Sequence, residues 1–207
     1  GQVEAALGAD LEELVNWIGS GAVTAGWDGE QPYVGFLLEA TDPAAAERRL
    51  AQLRALAELA AGDASSGISI SSETVAGVEV TTLRMDDAST TDLPVAAAIQ
   101  YAIRDERVII GIGDRFVGNV LTLDPGASLA AGDRYASAVA RFGGATNSGT
   151  FFVDLDGLRT TLESVMGADA EPMYGLVSPN LVPFDYVAGV SRVSGDRVVS
   201  RMELVLR

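Results

Sequence analysis

Three stretches of the chain follow one grammar: an apolar strand, an acidic residue, then an apolar helix. They run from Tyr33 to Leu59, from Arg107 to Leu121 and from Thr150 to Met166. Hairpins lead into two of these helices. A doubly wound parallel sheet would need a long right-handed crossover between every pair of strands, and hairpins leave no room for one. The expected fold is therefore α+β, with antiparallel or mixed sheets built from hairpins and helices packed on one face, two-lobed or internally repeated. The 207 residues are 48% hydrophobic and 21% charged, enough for a sizeable core. They read as a single compact domain over 1–207, with two lobes meeting near 86–95.

Local signals place the elements. Residues Gln2 to Trp17 read as helical through the spacing of Val3, Leu7, Leu11, Leu14, Val15 and Ile18, broken at Gly8-Ala9-Asp10, where Asp10 caps a second short helix that Gly19-Ser20-Gly21 ends. Ala22–Trp27 and Tyr33–Glu39 form a hairpin around Asp28-Gly29-Glu30-Gln31-Pro32. Asp42-Pro43 is a cap followed by a first-turn proline. The helix after it, to about Ala61, puts Leu50, Leu53, Ala57 and Ala60 on one face, widened by Leu56 and Leu59. Ile68–Ser72 and Val78–Met85 form a second hairpin, and the polar run Asp86–Asp92 is a loop. Val95–Arg104 and Arg107–Ile112 form a third, with Ile99, Tyr101 and Ile103 on one face. Asp114 is expected to cap a helix over Phe116, Val117, Val120 and Leu121. Asp124-Pro125 starts a new element, and Tyr135–Phe142 reads as helical. Thr150–Leu155 is a strand, after which Asp156 caps a helix carrying Leu158, Leu162 and Met166. The closing hairpin pairs Tyr186–Arg192 with Val198–Leu206, and Met202, Leu204 and Leu206 are expected to face inward.

Composition removes whole classes of chemistry. There is no His, no Cys and no Lys; all 14 basic residues are Arg. Ser-His-Asp triads, Cys-His pairs, Schiff-base lysines and P-loop lysines cannot be built from this chain alone. Thiolate and imidazole metal sites are equally out of reach. Against 29 acidic residues the net charge is −15, which opposes binding to a phosphate backbone or an anionic lipid surface. No apolar stretch reaches bilayer length.

Four patterns invite a functional reading. Gly111-Ile112-Gly113 follows a strand as a dinucleotide loop does, but position 116 is Phe where that pattern needs Gly, so close packing and a tight exit turn are the favoured reading. Asp154-Leu155-Asp156-Gly157 resembles the start of a calcium loop. Val165 stands where the twelfth-position acid belongs, so a helix cap is preferred and a weak site stays open. Asp86, Asp87 and Asp92 around Ser89, Thr90 and Thr91 suit a ligand rim or a solvated loop, the latter preferred. Trp17, Trp27 and Tyr33 suit a pocket or, by preference, core packing. Arg48-Arg49, the one adjacent basic pair, reads as intrahelical salt bridging with neighbours such as Glu47 and Glu58. No nucleophile elbow is present and no carboxylate spacing singles out an acid–base pair, so no catalytic, cofactor-binding or metal residue is assigned.

The runs Asp10–Gly19, Gly35–Glu47, Tyr101–Ile103, Val108–Gly111 and Phe151–Leu155 together resemble a bacterial domain family of unknown function. Its members often carry an N-terminal membrane-spanning segment and an external domain. The resemblance covers most of the chain from Leu11 onward. It implies an extracytoplasmic domain tethered through an anchor that this chain lacks, and it supplies no activity, cofactor or catalytic residue.

The leading expectation is a non-enzymatic binding or scaffolding domain, its partner a protein or peptide with a basic surface. A carrier of an apolar ligand or lipid is the first alternative, needing an internal cavity. A carboxylate-based hydrolase is the second, needing two acids converging in a cleft.

Overall fold

A computed structural model describes residues 15–27, 31–62, 67–85, 98–143, 147–166 and 171–207. The Asp10 cap, most of the expected 2–17 helix and the Asp86–Asp92 loop lie outside the described residues. Ile18 and Gly19-Ser20-Gly21, expected to finish that helix, instead open a strand paired to Leu38–Ala40. The fold is α+β and divides into two units, at Leu123/Asp124. The segment 86–95, expected to separate two lobes, is also outside the described residues; the strands flanking it are paired neighbours in one sheet.

The first unit is a six-stranded antiparallel sheet built from β1 (Ile18–Trp27), β2 (Pro32–Ala40), β3 (Ile68–Val75), β4 (Val78–Met85), β5 (Ala98–Arg104) and β6 (Arg107–Ile112). The strand order is β1-β2-β6-β5-β4-β3. Two-residue turns close two of its hairpins. Ala76 and Gly77 both take positive φ, 51° and 81°, the backbone such a turn needs to follow strand twist. Helix α1 (Pro43–Ala61) links β2 to β3 and starts as expected. The Asp42 carboxylate accepts the Ala45 amide at 2.9 Å, with Pro43 in the first turn. Helix α2 (Phe116–Thr122) follows β6.

Helices cover both faces of this sheet, where one covered face was expected. Neighbouring residues on a strand point to opposite sides, and in β6 both sides are apolar. Val108 packs with Trp17, Ala46 and Leu50 beneath α1, while Ile109 packs with Val80, Ala102, Phe116, Val117 and Leu121 beneath α2. The α1 stripe also differs from expectation. Ala46 and Leu50 are buried, but Leu53, Leu56 and Leu59 are exposed, Leu59 at 78%. The less exposed positions beyond Leu50 are Arg54, Ala57 and Ala61, so the helix rests on the sheet along 46-50-54-57-61. Its C-terminal half has little apolar contact, and Arg54 bonds Glu58 and Glu79 there.

The second unit begins with short 3₁₀ turns at Pro125–Ala127 and Leu129–Ala131. Asp124 caps the first through the Gly126 amide. Then come α3 (Asp133–Arg141), β7 (Gly149–Asp154), α4 (Leu155–Met166), α5 (Glu171–Leu181), β8 (Phe184–Ser194) and β9 (Arg197–Leu206). The sheet is antiparallel, ordered β7-β8-β9. Its core joins Ala138 and Phe142 to Tyr186, Ala188 and Val190, with Phe152 and Val205 at the margin. The closing hairpin forms as expected, but on the opposite face. Register sets Val205 beside Tyr186 and Glu203 beside Ala188, so Met202, Leu204 and Leu206 point outward at 70%, 49% and 57% exposure. Alternation fixes which residues travel together; the partner strand decides which set is buried.

Candidate functional site

The described polar constellation with the most partners lies at one end of the three-stranded sheet. Asp154 ends β7, Asp156 sits in the first turn of α4, and Asp185 is the second residue of β8. Arg134, in the first turn of α3, reaches Asp154 at 3.0 Å and Asp185 at 2.5 Å. It also donates to the Asp185 carbonyl. Arg159 holds Asp156 at 2.8 Å and Glu163 at 2.7 Å. Arg207 pairs with Asp156 and lies 3.7 Å from Asp185. Three guanidiniums thus face four carboxylates. Hydrogen bonds from Arg159 first, then Arg207, hold Asp156 below the usual carboxylate range. Burial works against the charge on Arg134, but the hydrogen bond to Asp154 and the charges of Asp154, Asp185 and Asp156 outweigh it.

This geometry settles which residue caps α4. Asp154, not Asp156, accepts the Gly157 amide, at 2.9 Å. The strand runs to Asp154 and the helix starts at once, so the cap falls two residues before the expected one. Asp156 spends its oxygens on Arg159 and Arg207 instead. Among the described residues, no three acids converge in a way that would hold a metal ion.

The glycine pair has a packing role. Gly35 and Gly111 are register partners on β2 and β6, and the Phe116 ring lies flat across both. A Cβ on Gly111 would stand 2.9 Å from the Phe116 Cβ, and one on Gly35 would overlap the ring itself. Gly113, at φ 111°, makes the exit turn, and its amide bonds the Ala98 carbonyl. Asp114 does not cap α2. The Gln31 amide at 2.8 Å and the Arg84 guanidinium at 2.9 Å hold it as a clamp, and in that order they lower its pKa.

The aromatic trio does not meet. Trp17 is buried beneath α1, whereas Tyr33 stacks on Phe116 at 5.2 Å on the other face of the sheet. Beside Trp17 is an open hollow of about 410 Å³, lined by Asn16, Asp42, Arg48, Arg49 and Gln52. A second open hollow, about 360 Å³, lies between the end of α1 and β3. Arg49 donates to Gln52, and the helix carries an Arg54–Glu58 ion pair further along. Glu39, Asp114 and Asp156 all titrate below the ordinary range, the opposite of what a carboxylic general acid needs.

The six-stranded sheet also carries a partly exposed apolar row. On the α1 side of the six-stranded sheet, Ile70, Leu83, Ile99, Ile112 and Val34 are successive register partners on five strands. The row crosses roughly 19 Å at normal strand spacing. Helix α1 packs two and four residues further along, over Ile110, Tyr101, Val108, Ile103 and Leu38. Ile99 and Ile112 remain 42% and 36% exposed, and Met85 beyond them 51%. The shared face of Ile99, Tyr101 and Ile103 was readable in sequence; that the helix would stop short of Ile99 was not. No family model, curated protein or solved structure matches the chain.

Proposed function

We propose that this chain is a non-enzymatic binding or scaffolding domain whose partner is a protein or peptide with a basic surface and an apolar anchor. The observation that carries this reading is the apolar row from Val34 through Ile112, Ile99 and Leu83, exposed at Ile99 and Ile112 and half-buried at Val34 and Leu83. An apolar strip of that length beside a helix suits an extended or helical segment laid across it. The net charge of −15 favours a cationic partner over an anionic one. Placement outside the cytoplasmic membrane, tethered through an anchor, rests on the family resemblance alone.

Anisotropy of two labelled amphipathic peptides, one alternating Leu with Lys and one alternating Leu with Glu, tests the reading. The basic peptide is expected to bind saturably, and a chain carrying Ile99→Ser and Ile112→Ser to lose that binding while still unfolding in one cooperative transition above the assay temperature. Equal binding of both peptides, or of neither, overturns the proposal. A stoichiometric apolar molecule retained in native mass spectrometry would replace it with the carrier reading.

A further inference from the structure

Strand β9 is an edge. Among the described residues no strand pairs with its outer side. It is ten residues long and contains neither Pro nor Gly. The other edges are blunted: β1 carries Gly19, Gly21 and Gly26, β3 is rich in Ser, and β7 has only six residues. A long edge with Val198, Met202, Leu204 and Leu206 exposed is a template for another strand.

The charges on β9 specify which strand. Between Val198 and Leu206 the only charged residues are Arg201 and Glu203, on the face that carries Val205. The Arg201 guanidinium lies over the Phe142 ring at 5.6 Å, with no carboxylate partner among the described residues. Glu203 Oε1 is buried 3.0 Å from Arg141 Nη2 yet takes no directed hydrogen bond. We infer that two copies of this chain pair through β9, antiparallel about Met202, joining two three-stranded sheets into one of six.

In that register Arg201 of each copy stands opposite Glu203 of the other, so a two-fold axis makes the pair twice. Met202 meets Met202, Val199 meets Val205, and Val198 meets Leu206. The exposed residues Phe151, Val153, Met202 and Leu204 then share one continuous apolar face. The same register brings Arg197 opposite Arg207 at the two ends, where Asp156 and Asp185 offset the Arg207 charge. Centring the pairing on Arg201 or on Glu203 instead sets like charges directly opposite at the axis and forfeits both Arg201–Glu203 pairs. Shifting by half a step joins the apolar face of one copy to the polar face of the other.

Sedimentation velocity of the full chain across a concentration series is the first test. A reversible dimer is expected, weakened about tenfold or more by Arg201→Glu and less by Arg201→Gln, which leaves the Arg141–Glu203 pair in place. A monomer at every concentration, or a dimer indifferent to Arg201→Glu, overturns the inference. The chain has no cysteine, so one introduced thiol reports register without burdening the fold. Met202→Cys is expected to form an intermolecular disulfide on mild oxidation, because directly opposite Cα atoms lie within disulfide reach. Val198→Cys is expected not to, since its counterpart lies roughly 26 Å away at normal strand rise. A Val198→Cys chain that links as readily as the Met202→Cys chain overturns the register. The Ile99→Ser and Ile112→Ser changes are expected to leave dimerisation intact, so this inference and the binding proposal fail separately.

Discussion

Replacing Gly35 by Ala tests whether the Phe116 ring is seated in a slot made by two glycines. In a free strand the change would help, because Gly loses more backbone entropy on folding than Ala, by roughly 0.5–1 kcal/mol. Here the added methyl overlaps the ring, which has little freedom to yield. Tyr33 stacks on one side of it at 5.2 Å, and Gly111 supports its base. Phe116 is only 6% exposed, and its helix is held by Val117 and Leu121 in the same cluster. Overpacking of this kind costs about 1–3 kcal/mol, enough to reverse the entropic gain. Phe116→Ala alone should cost about 3–5 kcal/mol through the lost ring and the space it leaves. In that background the overlap is gone, so Gly35→Ala should become neutral or stabilising. Urea denaturation of the four chains in this cycle measures the coupling, read from the midpoint at constant slope. Equal costs of Gly35→Ala with and without the ring would refute the slot.

Three further outcomes follow from contacts described above. Asp42→Ala should cost about 1 kcal/mol in chemical denaturation, because the Ala45 amide loses its only side-chain acceptor at the start of α1. At dilutions where the chain is monomeric, Leu204→Ala should cost less than about 1 kcal/mol, since the side chain is half-exposed, whereas Tyr186→Ala should cost about 3–5. Asp114 and Asp156 have lowered pKa values in the fold, so their contribution is full above the unfolded value of about 3.9 and is lost as pH falls below it. Urea midpoints of Asp114→Asn and of the parent chain should therefore differ at pH 7 and converge by about pH 2.

The elements legible in sequence are those whose signals are local. Asp42-Pro43, Asp124-Pro125 and the Ala76-Gly77 turn act within a few residues, and each forms as read. The errors share a different cause. Asp114 falls one residue before the Arg115 cap position of α2 and Asp156 falls inside the first turn of α4; Arg84 and Arg207 reach them from far along the chain, and Arg159 from one turn on. Met202, Leu204 and Leu206 alternate as faithfully as Tyr186, Ala188 and Val190. Only pairing shows that the latter set meets α3 with odd-numbered β9 residues opposite it. Leu53, Leu56 and Leu59 continue an apolar stripe that the sheet never reaches. The apolar row was invisible for the same reason: its five members come from five strands, and no window of sequence contains them.

The place of β6 in the six-stranded sheet has a consequence for how the chain folds. β6 lies between β2 and β5, so β2 must hold its inner edge for a strand made much later; Glu39 and Arg107, which meet across that edge, are 68 positions apart. Hairpins β1–β2 and β3–β4 need only short loops and can close early, but neither has a core until β6 arrives to set Val108 and Ile109 against opposite helices. Closing so large a loop before its contacts are repaid places the slow step at β6 insertion. Until then Phe36-Leu37-Leu38 is an apolar strand with an unpaired edge, the segment through which a growing or refolding chain is most exposed to sticking to its neighbours.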